Sequence, residues 1–95
     1  MITLMMDMRI EREDIEMTNL DKYNKIFTSS LEVPESRLGS AFTFKDTPEW
    51  DSVAHLNLVT NLEDEFDIML ESDDILHFGS YENGKLILKK YGVEL

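Results

Sequence analysis

Asp51 and Ser52 stand where a loop meets a long amphipathic run, directly after Pro48-Glu49-Trp50. Both are good N-cap types, so one of them starts a helix. A serine hydroxyl at such a junction is exposed. The backbone N–H groups of the first turn lack helical partners, and the helix dipole is positive at that end. A phosphodiester on Ser52 would therefore have its negative charge favourably placed. Taken alone, however, Asp-Ser before an amphipathic run reads as a helix cap.

The other chemistry-bearing residues are weaker candidates. His55 falls near the apolar stripe of the run and reads as a packing residue, while His77 lies on or just after a short helix. Two unrelated histidines with no Ser-His-Asp order provide no basis for a triad. The chain has no cysteine, which excludes disulfides, a thiolate nucleophile and Cys-based zinc sites. The carboxylates of residues 63–74 lack the ligand alternation and central Gly of an EF-hand, so they read as a solvated acidic face. Only four Gly occur and none are grouped, so no phosphate-cradling loop is present. No motif for an enzyme acting alone emerges.

Helical spacing then sorts the run after Ser52. At about 100° per residue, Leu58, Leu62 and Phe66 form a core stripe with Val59 at its edge. Val53, Leu56 and Thr60 fall on another face, near Ser52. Glu63, Asp64 and Asp67 flank that face. Apolar residues rimmed by acids outside the core stripe resemble a docking surface. The competing reading is that other helices cover them.

The elements that must hold this run are helical. Thr18 or Asn19 caps a first helix, with Leu20, Tyr23, Phe27 and Leu31 at helical spacing. Pro34 closes it. Residues 35–49 form a long loop whose Leu38, Phe42 and Phe44 pin it to the core. Ser72 caps a short third helix that ends at Gly79. Ser80 caps a last helix with Leu86, Ile87, Leu88 and Tyr91, which Gly92 stops. The rival for that last segment is a hairpin about Asn83-Gly84.

Ninety-five residues and a hydrophobic fraction of 42% fit one domain with a modest core. The formal net charge is −11. It disfavours nucleic acid and anionic membranes as partners and favours basic protein surfaces. Residues 46–84 contain no Lys or Arg but hold 11 of the 20 acids. The N-terminal apolar run is too short for a signal peptide, and no transmembrane stretch occurs, so a cytoplasmic location is expected. Met5, Met6, Met8 and Met17 are alternative starts, and residues 1–17 read as a tail or an extension of the first helix.

Residues 50–68 resemble the attachment region of acyl and peptidyl carrier proteins. That family's signature is Asp-Ser-Leu, or a close variant, followed by an amphipathic helix ending in acids and Phe. Asp51-Ser52 and Leu62-Glu63-Asp64-Glu65-Phe66-Asp67 match it with the right offset. Residues 20–31 resemble the family's first helix, Ser72-Asp73-Asp74-Ile75 its short third helix and Ile87-Leu88-Lys89-Lys90-Tyr91-Gly92-Val93 its fourth. The resemblance covers residues 18–95 and favours helix over hairpin at Asn83.

It implies an all-α fold, a small four-helix bundle of three longer helices and one short one. It implies a 4'-phosphopantetheine arm on Ser52, installed from coenzyme A by a separate magnesium-assisted transferase and carrying acyl or aminoacyl thioesters. Asp51 would shape the attachment turn. Val53, Leu56, Thr60, Glu63, Asp64 and Asp67 would meet loading and downstream enzymes that have basic docking surfaces. A monomer that is not itself an enzyme is expected. Val53 stands where the family usually has Leu or Met, and Ala54 and Asn57 where many fatty-acid carriers have acids. Together with Trp50 and Ala54-His55-Leu56, these departures resemble stand-alone carriers of specialised polysaccharide, polyketide or peptide-type pathways. The competing class is an unmodified acidic helical interaction module with the same fold. The expected packing residues are Leu20, Tyr23, Phe27, Leu58, Leu62, Phe66, Leu86 and Leu88, with Phe42 or Phe44 covering one end.

Self-repulsion among the acids of residues 46–84 should weaken the fold at low ionic strength. The Tm is expected to rise between low and moderate salt. A Tm that is flat or falls across that range would refute this electrostatic reading.

Overall fold

The computed structural model describes residues 17–95. The possible helix extension and start methionines within residues 1–16 lie outside the described residues. Four α-helices follow in order: α1 (Asn19–Leu31), α2 (Ser52–Phe66), α3 (Ser72–Leu76) and α4 (Tyr81–Lys90), with a 3-10 turn at Glu35–Arg37. No strand occurs among the described residues; Thr43 and Ser80 make one isolated bridge. The small all-α architecture is as expected, and Asn83-Gly84 lies inside α4, not in a hairpin.

Each longer helix begins with a side-chain cap. Thr18 Oγ1 accepts from the Asp21 N–H while an Asp21 carboxylate oxygen accepts from the Thr18 N–H, a reciprocal capping box. Asp51 accepts from the Ala54 N–H at 2.9 Å, and Ser80 from the Asn83 N–H at 2.9 Å. The cap of α3 is Glu71, not Ser72, and its side chain makes no capping bond.

The first helix stops earlier than Pro34 implies. Glu32 turns left-handed at φ 57°, its N–H returning to the Thr28 carbonyl. Pro34 instead precedes the 3-10 turn. Asp67 ends α2 in the same left-handed way at φ 54°.

Tyr23, Phe27 and Leu31 of α1 meet Leu58, Val59 and Leu62 of α2 and Ile87 and Leu88 of α4. Leu20 and Phe66 are half-buried at the edges. Leu86 is 64% exposed, which corrects its expected place in the core. The buried face of α4 runs through Tyr81, Gly84, Ile87 and Leu88, and Leu86 projects away from it. Two loop residues absent from the expected core, Trp50 and Phe78, are among its largest fully buried side chains. Phe42 packs against Trp50 with ring centroids 5.7 Å apart. Phe44 remains 42% exposed, so of the two loop phenylalanines it is Phe42 that is buried.

Gly84 permits the closest approach in this packing. A Cβ there would overlap the Tyr23 hydroxyl and the Phe78 ring. Gly84→Ala gains about 1 kcal/mol of helix propensity but overpacks a filled interior, at a cost of about 1–3 kcal/mol. The expected net effect is a loss of up to about 2 kcal/mol in urea unfolding. A more stable variant would show that this contact does not constrain α4.

Candidate functional site

Ser52 is the first residue of α2 and is exposed. Its hydroxyl makes no hydrogen bond among the described residues. Asp51 is committed as the cap beside it, so the turn that presents Ser52 is built by the Asp51 carboxylate. The N–H groups of Ser52 and Val53 come before the first bonded amides of the helix, those of Ala54 and His55. This corner can receive a phosphate oxygen.

Ser52 opens onto a groove of about 580 Å³. Phe44, His55, Leu56, Ile75 and Leu76 supply most of its apolar wall. The loop before α2 thus contributes Phe44, α2 contributes His55 and Leu56, and α3 contributes Ile75 and Leu76. Sequence reasoning did not assemble this groove, because neither α3 nor Phe44 carries a periodic signal toward Ser52.

Val53 and Leu56 are 69% and 62% exposed. Thr60, Asp64 and Asp67 continue along the same face and are also exposed. The other helices leave that face uncovered. Glu63 differs: it is half-buried, and its carboxylate accepts the Leu70 N–H at 2.9 Å. It ties the end of α2 to the chain that follows. Leu76, in the groove wall, is 77% exposed and widens its apolar rim.

The exposed acids Asp64 and Asp67 do little for the fold. The last turn of α2 carries no basic residue. Glu63, Asp64 and Asp67 stand at the negative end of the dipole, where anions are unfavourable. Lys22 approaches Glu65 at 3.7 Å, an exposed pair of small worth. A cationic partner surface would relieve this unbalanced charge.

Asp74 shows the contrasting arrangement. It accepts from Lys90 Nζ at 2.7 Å and from the Tyr91 hydroxyl at 2.5 Å. The same Tyr91 oxygen accepts the Glu71 N–H at 2.9 Å. This clip fixes α3, and with it one wall of the groove, to the end of α4. Among the described residues no group of three or more His, Asp or Glu could hold a metal ion. No described helix is long and apolar enough to cross a membrane. No known protein-family model matches the chain.

The hydrogen bond from Lys90, then that from Tyr91, holds the Asp74 carboxyl below the usual carboxylate range. A carboxyl lowered on folding stabilises the fold above its unfolded value, about 3.9, and loses that contribution as pH falls through its lower folded value. Urea unfolding between about pH 2 and pH 6 should show wild type losing stability below about pH 4, with a shallower acid limb for Asp74→Asn. Superimposable acid limbs would remove Asp74 from this account.

Proposed function

We propose that the chain is a carrier protein, bearing acyl or aminoacyl intermediates as thioesters on a 4'-phosphopantetheine arm joined to Ser52. The observation that carries this reading is the position of Ser52. Its exposed hydroxyl stands at the positive end of α2 and at the mouth of an apolar groove. The site fits the group in three respects. The hydroxyl is accessible, first-turn N–H groups are available to phosphate oxygens, and the groove offers apolar cover to a tethered chain.

The modification is a phosphoryl transfer. The Ser52 oxygen forms a bond to the pantetheine-side phosphorus of coenzyme A. The bond to the other phosphate breaks, adenosine 3',5'-bisphosphate leaves, and the serine proton passes to a base of the transferase. When attached, the arm supplies the thiol that this cysteine-free chain lacks. The chain's own residues do the rest. Asp51 holds the turn, the first-turn amides orient the phosphate, and Phe44, Leu56, Ile75 and Leu76 shelter the far end of the arm.

The exposed face of Val53, Leu56, Thr60, Asp64 and Asp67 would meet the transferase and the loading and downstream enzymes of a specialised cytoplasmic pathway. An apolar pair followed by acids suits partners with basic surfaces, in contacts that are weak and salt-sensitive. An unmodified interaction module would use the same face without Ser52.

Intact mass separates these readings. The protein is incubated with coenzyme A, magnesium and a broad-specificity phosphopantetheinyl transferase, as wild type and as Ser52→Ala. Wild type is expected to gain one phosphopantetheine and the variant none. No gain on folded wild type, tried with several transferases, would overturn the carrier reading. Ser52 would then be only the first residue of a helix on an interaction module.

A further inference from the structure

The groove beside Ser52 has a floor, and the floor is a side chain held at both ends. The Trp50 indole N–H can only donate, so at 3.0 Å His55 Nδ1 accepts from it. The neutral imidazole then carries its proton on Nε2, which donates to the Ile75 carbonyl at 2.8 Å. One ring thereby joins the loop before α2 to the body of α3.

The same ring is wedged between aromatic neighbours. Its centroid lies 5.9 Å from that of Phe44 and 5.7 Å from that of Phe78, both nearly edge-on. Behind it, Trp50 and Phe78 are 1% and 0% exposed and stand 6.1 Å apart. Phe27 backs Trp50 at 5.4 Å. A chain entering between α2 and α3 would have to break both imidazole hydrogen bonds and part these rings.

Resting on the carrier reading, we infer that His55 determines which cargo the protein can shelter. Its brace closes the seam between α2 and α3, so cargo stays in the open groove, and the protein serves compact acyl or aminoacyl groups and not extended fatty chains. A groove of about 580 Å³ is within the usual range for small-molecule sites, roughly 300–1,000 Å³. It is open along one side. Methylenes beyond its apolar walls gain no burial, so chain extension brings no further stabilisation. His55 acts here as a positioning residue: it holds Trp50 and α3, and does no chemistry on the cargo.

The test loads full-length protein from acetyl-, hexanoyl- and hexadecanoyl-coenzyme A with a broad-specificity transferase, each product verified by mass. Two readouts follow: the Trp50 indole N–H resonance in a ¹⁵N correlation spectrum, and the Tm. The indole resonance is expected to stay in place for all three loads, while amides of Phe44, Ile75 and Leu76 move. The Tm should gain nothing from hexanoyl to hexadecanoyl. His55→Ala loaded with hexadecanoyl should show what wild type lacks, a Tm gain over its hexanoyl form. A wild-type indole resonance that shifts progressively with chain length, with a rising Tm, would mean that the chain enters the core, and would overturn the inference. So would a His55→Ala variant that folds yet keeps the wild-type response to length. If that variant does not fold, the wild-type series decides alone. Folded protein that accepts none of the three loads defeats the carrier reading itself, a result distinct from loading followed by core entry.

Discussion

The Trp50 indole N–H is the constraint from which the groove side of this protein follows. The indole is almost fully enclosed, yet its nitrogen is a donor that needs an acceptor. Leaving a buried donor without one costs about 1–3 kcal/mol. His55 supplies that acceptor, and in doing so commits its second nitrogen to donate. The acceptor it reaches is the Ile75 carbonyl of α3. Burial of a loop side chain thus dictates where the shortest helix sits. Five residues with no side-chain cap would not hold a helix alone. The third helix depends on the His55 brace on one side and the Asp74 clip on the other, and the groove is the space those two restraints leave beside α2.

The acids divide by what they touch. Asp21 and Asp51 cap helices, Glu49 pairs with Arg37 through two hydrogen bonds, Glu63 binds a backbone N–H, and Asp74 closes the α3–α4 clip. These carboxylates explain themselves through the fold. Asp64 and Asp67 do not: they are exposed at the negative end of α2, where the chain offers no cation in the last turn. Their position is unfavourable for the isolated molecule and favourable for a complex with a basic surface. A single net charge conceals this division, since it counts capping carboxylates and solvent-facing ones alike.

Legibility in the sequence followed periodicity and capping. Ser80 caps its helix as expected, and of the alternatives Thr18 or Asn19 and Asp51 or Ser52 the structure selects Thr18 and Asp51; Ser72 misled because any short polar side chain before an apolar period can read as a cap. The stripe of Tyr23, Phe27 and Leu31 and that of Leu58 and Leu62 are plain. Trp50 and Phe78 were hidden because loop residues have no period to mark an inward face. The run Leu86-Ile87-Leu88 gave no phase: adjacent apolar residues on a helix cannot all face the core, and the reference that selects Ile87 and Leu88 is Gly84, which looks like a turn residue until Tyr23 and Phe78 are placed against it. Glu32 was masked by Pro34, since a left-handed glutamate has no sequence signature. The exposed serine and the face after it were legible from Asp51-Ser52 and the wheel; the groove was not, because it is assembled from three separate segments.

Ser52 and His55 line the same groove, which invites a nucleophile–base pairing. The hydrogen bonds argue otherwise. A general base must offer a free lone pair. The lone pair of His55 Nδ1 is occupied by the Trp50 N–H, and Nε2 carries the proton that meets the Ile75 carbonyl. Activating Ser52 through this imidazole would require surrendering the bond that satisfies a buried indole. His55 therefore leaves the hydroxyl an ordinary, unactivated alcohol among the described residues. Under the proposed carrier function, chemistry at Ser52 would take its base from another protein, which accords with a serine presented at a helix start on an open rim and with a neighbouring face left bare.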